Sequence, residues 1–250
     1  MSVLKRWAVT GLRILLAFVA LATVLSAALI GYLFFYSADL PDTKELAAFT
    51  SDGYGRAVDV NICGETARIT VVPVSQTPTL RAAVIAAEGD LDPKGVVSRL
   101  YDDLHDGSPT HQRYGTYSFQ IARQLFCNER RVHKRQLGEL RAATQLERKF
   151  SGDALLDIYV NSVYFGPGIY GIENAARHYF RKPAPELSIA EAALLSGLIR
   201  SPKRFSPKEQ PDRAFSRRND VIDAMLQRGS ISVAEADEAK RTSLGIVNAP

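Results

Sequence analysis

The stretch RQLGELRAATQLERKFSGDALLDIYVNSVYFGPGIYGIENAARHYF, residues 135 to 180, decides the fold class of this chain. Its apolar residues recur at helical spacing over 135–150 and again over 154–164, which predicts two consecutive helices. The stretch 56–74 is rich in valine, isoleucine and threonine and is interrupted at 63–65, which predicts a small β-hairpin. Helical patterns flank the central block at 80–88, 116–126, 188–199 and 221–229, and a Ser-x-x-Glu capping box begins a further helix at 232–235. The sequence therefore predicts a mainly α domain.

The N-terminal part carries an uncharged apolar run over 14–36. At about 1.5 Å per residue this run is long enough to cross a bilayer core of roughly 30 Å. Basic residues precede it and acidic residues follow it, so the positive-inside rule predicts a cytoplasmic N-terminus and an extracytoplasmic domain. A cleavable signal peptide is the alternative, because small residues at 26–28 resemble a cleavage site. The expected divisions are a cytoplasmic tail (1–13), a transmembrane helix (14–36), an exposed linker (37–55) and one folded domain (56–245).

Composition excludes several classes of protein. The 250 residues are 46% hydrophobic and 23% charged, with a formal net charge of +4. These values exclude collagen-like and wholly disordered chains and give no sign of nucleic-acid binding. The two cysteines and four histidines form no zinc-binding motif, so any metal would be bound by oxygen ligands. For Cys63 and Cys127, a disulfide bond and two separate buried thiols both stay open.

The helix predicted over 116–126 presents polar side chains on one face. Thr116, Gln120 and Arg123 fall at i, i+4 and i+7, so a hydroxyl, an amide and a guanidinium lie side by side. Such a face suits an anionic, oxygen-rich ligand, because arginine supplies charge and a planar set of donors. An ordinary solvated helix face is the alternative.

Two glutamates are candidates for acid–base chemistry. Glu139 stands one turn after Arg135 on a stripe that continues into apolar positions, so we expect it to be half-buried; a plain intrahelical ion pair is the alternative. Glu88 ends an apolar helix, and Gly89 follows as an expected left-handed cap. The negative end of the helix dipole disfavours a charged carboxyl there and raises its pKa if water is excluded, as suits a proton acceptor. A solvated helix end without function is the alternative.

Taken in order, these segments resemble the peptidoglycan glycosyltransferases of family 51 over about residues 75 to 240. The block 135–180 is similar to the family's RKxxE motif, its second acidic segment and its LxxYLNxxYFG helix. The segment LSIAEAALLSGLIRSPKRFSP, residues 187 to 207, is similar to the family's next characteristic stretch. The resemblance implies a lysozyme-like, bilobal, mainly α domain with a small β-hairpin, preceded by one N-terminal transmembrane helix.

The resemblance also assigns site residues. RYGTYSFQIARQ, residues 113 to 124, corresponds to the family's GGSTITQQLAKN motif, with Arg123 and Gln124 in place of lysine and asparagine. The RKxxE motif keeps its outer residues, and in the family these motifs bind the pyrophosphate and sugar of the donor. The implied substrate-binding residues are Thr116, Gln120, Arg123, Gln124 and Arg135, and the implied catalytic residues are Glu88 and Glu139.

The implied reaction is polymerisation of lipid II into glycan strands, with inversion and with undecaprenyl pyrophosphate as the leaving group. Glu88 is expected to act as general base on the acceptor's 4-hydroxyl. Mg²⁺ or Mn²⁺ assisting the pyrophosphate is left open, and no other cofactor is expected. The expected location is the bacterial inner (plasma) membrane, as a single-pass protein with its domain on the periplasmic or extracytoplasmic side.

The expected partners are lipid II, nascent glycan strands and the membrane, and no nucleic acid. The only Ser-x-x-Lys runs from Ser2 to Lys5, ahead of the apolar run, and no Lys-Thr-Gly occurs. Cross-linking is therefore expected of a separate transpeptidase.

The family's first motif, EDxxFxxHxG, is altered here. Glu88 matches its glutamate, but Gly89 replaces the aspartate and the chain reaches Leu91-Asp92-Pro93 early. One alternative is therefore a catalytically impaired relative that binds lipid-linked precursor or glycan and scaffolds cell-wall synthases. A second is a lytic glycosidase, because a helical domain with two carboxylates is also the lysozyme pattern.

Overall fold

A computed structural model of the chain describes residues 2–36, 45–50, 54–62, 65–74, 77–89, 117–125, 130 and 132–247. Helix α1, Ser2–Tyr36, contains the apolar stretch Gly11–Leu33, which has a mean hydropathy of 2.6 and exposed side chains. Exposed apolar side chains over 23 residues are what a lipid-facing helix requires. Among the described helices this one alone is long and apolar enough to cross a membrane, and a signal sequence has the same properties.

The N-terminal edge of the folded domain is a β-hairpin. Strands β1, Ala57–Ile62, and β2, Glu65–Thr70, pair antiparallel over their whole length. Alternation along each strand turns Val60 and Ile69 into the core, where both are buried. The hairpin predicted from the valine, isoleucine and threonine content is thereby confirmed.

Part of the segment expected to be an exposed linker packs into the core instead. A 3₁₀ helix, Glu45–Thr50, buries Leu46 and Phe49. These two apolar residues are three positions apart and so lie on one face of a 3₁₀ helix. The expectation of exposure is wrong here because this face covers the helix Gly152–Ser162.

Some residues for which the sequence gives predictions lie outside the described part of the chain. Among them are Thr116, Cys63, Cys127 and the segment Leu91-Asp92-Pro93.

Helix α2, Pro78–Glu88, leads to the first candidate acid. Proline suits the first turn because N–H groups there lack an intrahelical acceptor. Gly89 follows with φ of 103° and ψ of 170°. The prediction of a left-handed cap is wrong, because only φ is positive while ψ is extended, a combination that essentially only glycine adopts. The chain therefore leaves α2 along a path that a residue with a side chain could take only under strain.

The next helices in the described part of the chain are α3, Tyr117–Leu125; α4, Val132–Lys149; and α5, Gly152–Ser162. Helices α3 and α4 pack through Phe119, Ala122, Ala142 and Ala143, and the small alanines allow close approach. Helix α4 begins about one turn before the predicted start.

Helix α5 ends sooner than its apolar pattern predicts. Strands β3, Tyr164–Gly166, and β4, Ile169–Tyr170, form a second antiparallel pair, so the helix predicted to reach Tyr164 is wrong at its end. Gly171, with φ of 79°, follows this pair and precedes α6, Ile172–Phe180. A Cβ on Gly171 would lie 2.6 Å from the carbonyl oxygen of Asn161, so glycine is needed for this close approach.

The C-terminal part of the domain contains α7, Ile189–Ile199, α8, Pro211–Gln227, and α9, Val233–Arg241. Ser188 and Ser232 each cap their helix, with the glutamate three residues later bonding back to the capping residue, which confirms both capping boxes. Helix α7 is buried on almost every face and packs against both α2 and α8. The structure thus confirms a mainly α fold with a small hairpin and one N-terminal apolar helix.

Candidate active site

Glu88 is the last residue of α2 and contacts α3. The side-chain amide of Gln120 donates to Glu88 Oε2 at 3.1 Å, while Oε1 is buried and has no hydrogen-bond partner among the described residues. Burial raises the pKa of the Glu88 carboxyl above its usual value, and the Gln120 amide and the positive charges of Arg217 and Arg200 oppose that rise. A shielded carboxyl with one uncommitted oxygen has the properties of a proton acceptor.

Two tyrosines lie against the end of α2. Tyr159 of α5 is fully buried, and its burial together with the charge of Glu88 holds the pKa of its hydroxyl well above the usual range. Its ring packs on that of Tyr117 with centroids 5.0 Å apart. The Tyr117 hydroxyl donates to the carbonyl oxygen of Gly89 at 3.1 Å. The backbone on the C-terminal side of Glu88 is therefore held by a hydrogen bond from α3.

Glu139 of α4 is the second candidate, and it is only 6% exposed. It is buried more deeply than the sequence pattern predicts. Arg135, one turn earlier, places its Nε 3.5 Å from Glu139 Oε1. Burial raises the pKa of the Glu139 carboxyl, while the charges of Arg123 and Arg135 act to lower it. Because Gln120 and Arg123 are one turn apart, α3 supplies an amide to Glu88 and a positive charge to Glu139.

A cleft of about 760 Å³ opens beside α3. Three polar residues of this helix line it, namely Gln120, Arg123 and Gln124. The hairpin and the β3–β4 pair contribute Glu65 and Tyr170 among others, and the Tyr170 hydroxyl donates to Glu65 Oε2 at 3.0 Å. The volume lies within the range of about 300–1,000 Å³ typical of small-molecule sites. Since Gln120 both lines the cleft and binds Glu88, the cleft reaches the immediate surroundings of the candidate base.

The structure brings the described site residues together in two groups, and Arg123 of the first group exerts its charge on Glu139 of the second. Three line one cleft, Glu88 is bonded to one of these three, and Arg135 pairs with Glu139. Thr116 lies outside the described residues. The chemical roles assigned to all seven stay predictions.

Sequence reasoning did not select Tyr159 or Arg217, both of which face Glu88. The Arg217 guanidinium bonds to the carbonyl of Ala87, 130 positions away along the chain. A contact of that range leaves no mark on local periodicity. For Tyr159, only the apolar spacing of α5 gave a signal, and that signal indicated burial.

The sequence profile of the transglycosylase family matches residues 61–226. The chain belongs to this family. Its members are the peptidoglycan glycosyltransferases of family 51, which confirms the membership inferred from the motifs. The matched range includes α2 through α7 and therefore both glutamates and the whole cleft.

Transglycosylase relatives match much of this chain. Penicillin-binding protein 1F of Bacillus subtilis is 33% identical over 183 residues, which cover 70% of this chain and 26% of that protein. A transglycosylase-like protein of Cupriavidus necator is 33% identical over 180 residues, covering 67% of this chain and 75% of that protein. Penicillin-binding protein 1A of Pseudomonas aeruginosa is 40% identical over 116 residues, covering 46% and 14%. The chain spans about a quarter or less of the length of these two penicillin-binding proteins.

Proposed function

We propose that this protein is a membrane-anchored peptidoglycan glycosyltransferase that polymerises lipid II into glycan strands. Membership in the transglycosylase family supplies the reaction class. The observation that carries the proposal for this chain is the placement of Glu88, a shielded carboxyl bonded to Gln120, which itself lines a cleft together with Arg123. This arrangement combines a base with a positive charge for an anionic leaving group.

In the proposed reaction Glu88 removes the proton from the acceptor's 4-hydroxyl. The oxygen bonds to the anomeric carbon of the donor from the side opposite the leaving group, so the configuration inverts. The bond between that carbon and the pyrophosphate oxygen breaks, and the electron pair leaves with undecaprenyl pyrophosphate. The raised pKa of Glu88 brings the carboxyl closer to the operating pH, where a general base works best.

The leaving group carries negative charge, which the guanidiniums of Arg123 and Arg135 neutralise in this proposal. Thr116, Gln120 and Gln124 orient the pyrophosphate and sugar. Glu139 fixes the arginines, as its 3.5 Å contact with Arg135 supports. The resemblance to the family assigns Glu139 to the catalytic residues. Its contact with Arg135 favours a role in positioning the arginines instead.

A divalent cation has no complete set of protein ligands in the described part of the chain. No three histidine, cysteine or acidic side chains come together among those residues, whereas Mg²⁺ and Mn²⁺ sites use clustered oxygen ligands. Gly89 also lacks the carboxylate of the family motif. The steps proposed above use only side chains of this chain, and Mg²⁺ or Mn²⁺ assisting the pyrophosphate stays an open alternative.

The membrane anchor limits how far the domain can move from its substrate. Lipid II carries a polyprenyl tail and stays in the bilayer, so the cleft must reach the membrane surface. Helix α1 ends at Tyr36, and Leu46 is already buried in the domain. Ten residues of chain span at most about 35 Å. We propose single-pass anchoring in the bacterial inner membrane with the domain on the extracytoplasmic side, where a separate transpeptidase would cross-link the product.

The test is polymerisation of labelled lipid II by the full-length protein in vesicles. Glu88→Gln keeps the size of the side chain and one acceptor oxygen for Gln120 but removes the base, and it is expected to lower the rate by about 100-fold or more. Glu186→Gln, at an exposed position of a 3₁₀ helix, is the matched control and should retain full activity. Equal activity of the two variants would remove Glu88 from its role.

Gly89 supports a second candidate, a catalytically impaired relative that binds lipid-linked precursor or glycan. Its φ of 103° and ψ of 170° would strain the aspartate that the family motif has at this position. Under this reading the wild-type protein makes no polymer in the same assay, yet binds lipid II in vesicles, and Glu88→Gln binds equally well.

A further inference from the structure

Arg217 of α8 contacts the last turn of the neighbouring helix α2. Its Nη2 donates to the carbonyl oxygen of Ala87 at 3.1 Å, directly before Glu88 in the chain. The last carbonyls of a helix lack intrahelical donors, so this guanidinium satisfies one of them and ties α8 to the turn that carries Glu88. The Arg217 side chain is itself half-buried, and its Nε is buried without a partner among the described residues.

Among the described residues, the side chains that act on the Glu88 carboxyl come from four places: Gln120 of α3, Tyr159 of α5, Arg200 directly after α7, and Arg217 of α8. Arg200 and Arg217 are cations, and both favour the ionised carboxyl. The relation is mutual, because burial lowers the pKa of Arg217 and the charge of Glu88 opposes that loss. Two partly desolvated opposite charges each depend on the other.

The Arg217 side chain packs between neighbouring residues that leave room for it. A Cβ on Gly197 of α7 would lie 3.0 Å from Arg217 Cγ, so a glycine in a buried helix leaves room for the arginine. Glycine in a helix interior costs stability relative to alanine. The Arg217 guanidinium also lies 6.0 Å from the ring centre of Phe205, on its other flank.

We propose that Arg217 is a positioning residue for Glu88, which it holds in place from α8 through the backbone of Ala87 and through its charge. This inference rests on the proposed function, since it takes Glu88 to be the general base. It adds to that function a residue that does not belong to the lining of the cleft.

The test compares four variants of the full-length protein in the lipid II polymerisation assay between pH 5.5 and 9. Arg217→Met removes the charge, Arg217→Lys keeps it, Gly197→Ala displaces the side chain, and Arg213→Met changes an exposed arginine of the same helix as the matched control. Arg217→Met is expected to lose about 10- to 100-fold in rate near neutral pH. Its loss should shrink as the pH rises, because without Arg217 the ionised form of Glu88 needs a higher pH.

Arg217→Lys should restore the polymerisation rate on the acid side of the pH profile. The rate of Gly197→Ala should lie between those of wild type and Arg217→Met, and the rate of Arg213→Met should equal that of wild type. The inference is overturned if Arg217→Met matches Arg213→Met. It is also overturned if the loss in Arg217→Met is equal at every pH and lysine does not restore the acid limb, since a purely structural role predicts that pattern.

A second measurement keeps the two proposals distinguishable. Carbon-13 NMR titration of labelled glutamate, with the Glu88 signal assigned by its absence in Glu88→Gln, reports the carboxyl without any turnover. Glu88 should titrate at higher pH in Arg217→Met than in wild type. If wild type fails to polymerise lipid II, the proposed function fails while this titration still decides the inference; an unchanged Glu88 titration overturns it.

Discussion

Replacement of Asn161 by alanine should destabilise the domain strongly, and more than replacement of Asn174 by alanine. Asn161 lies in the last turn of α5 and is completely buried. Its side chain accepts from the N–H of Val72 at 2.9 Å and donates to the carbonyl of Val72 at 3.0 Å. It also donates to the carbonyl of Asp157 at 2.8 Å. The side chain thus acts like a strand partner for a residue just beyond β2.

The expected loss of stability follows from the backbone groups that the substitution leaves without a hydrogen-bond partner. Val72 is fully buried, so alanine at position 161 leaves the backbone N–H and carbonyl of Val72 unpaired and away from water. Each unpaired group costs about 1–3 kcal/mol. The free energy of unfolding should therefore fall by about 2–6 kcal/mol. A domain of this size has about 5–15 kcal/mol in total, and the melting temperature should fall by about 10 °C.

Asn174→Ala is the matched control for this prediction. The Asn174 amide also bonds two carbonyls, those of Arg68 and Tyr170, both at 2.9 Å, but the bond to Arg68 is exposed. Water can replace the lost donor there, so the cost should be about 1 kcal/mol. Thermal unfolding of both variants in detergent, followed by far-ultraviolet circular dichroism, measures the difference. Equal melting temperatures would refute the assigned role of the Val72 contact.

Three further outcomes are expected. Because burial raises the folded-state pKa of the Glu88 carboxyl above its usual value, wild type loses stability as the pH rises through that folded pKa. Glu88→Gln should therefore be the more stable protein at pH 7 and should match wild type at pH 4 in thermal unfolding. Gly171→Ala should destabilise by about 2 kcal/mol or more by denaturant titration, because φ is 79° and the new Cβ would lie 2.6 Å from the Asn161 carbonyl oxygen. Arg123→Met should lower kcat/KM for lipid II by about 10- to 100-fold, the value of a charge-assisted contact, whereas Arg148→Met at an exposed position of α4 should leave it unchanged.

Local patterns predicted the helices and the hairpin well, because the chemistry that starts and stops them is local. The two Ser-x-x-Glu boxes each satisfy their own helix end, and alternation over β1 and β2 is visible in a few residues. The predicted end of α5 is wrong because Tyr164 has the apolar character of the helix before it. Its place in β3 depends on pairing with Tyr170, which no helical periodicity reveals.

The error over Leu46 and Phe49 has a different origin. Leu46 and Phe49 belong to a short apolar stretch between polar residues, which predicts a brief exposed turn. Their burial depends on a surface of α5 that only the folded domain provides. The Gly89 prediction failed for a similar reason, because a glycine after a helix indicates a positive φ but leaves ψ undetermined. In each case the missing information was a contact with a distant part of the chain.

In the candidate site, too, the sequence predicted arrangements within one helix but not contacts between distant parts of the chain. Spacing within one helix predicted that Gln120 and Arg123 share a face, and both line the cleft. Spacing could not predict that α3 would set Gln120 against Glu88, 32 positions away, or that Arg217 would approach from α8. A carboxyl that is shielded from water, with one oxygen lacking a hydrogen-bond partner among the described residues, is unfavourable as packing alone. An apolar side chain would fill the same space at lower cost, and the proposed role of Glu88 as a proton acceptor gives a physical reason for a carboxyl at this position.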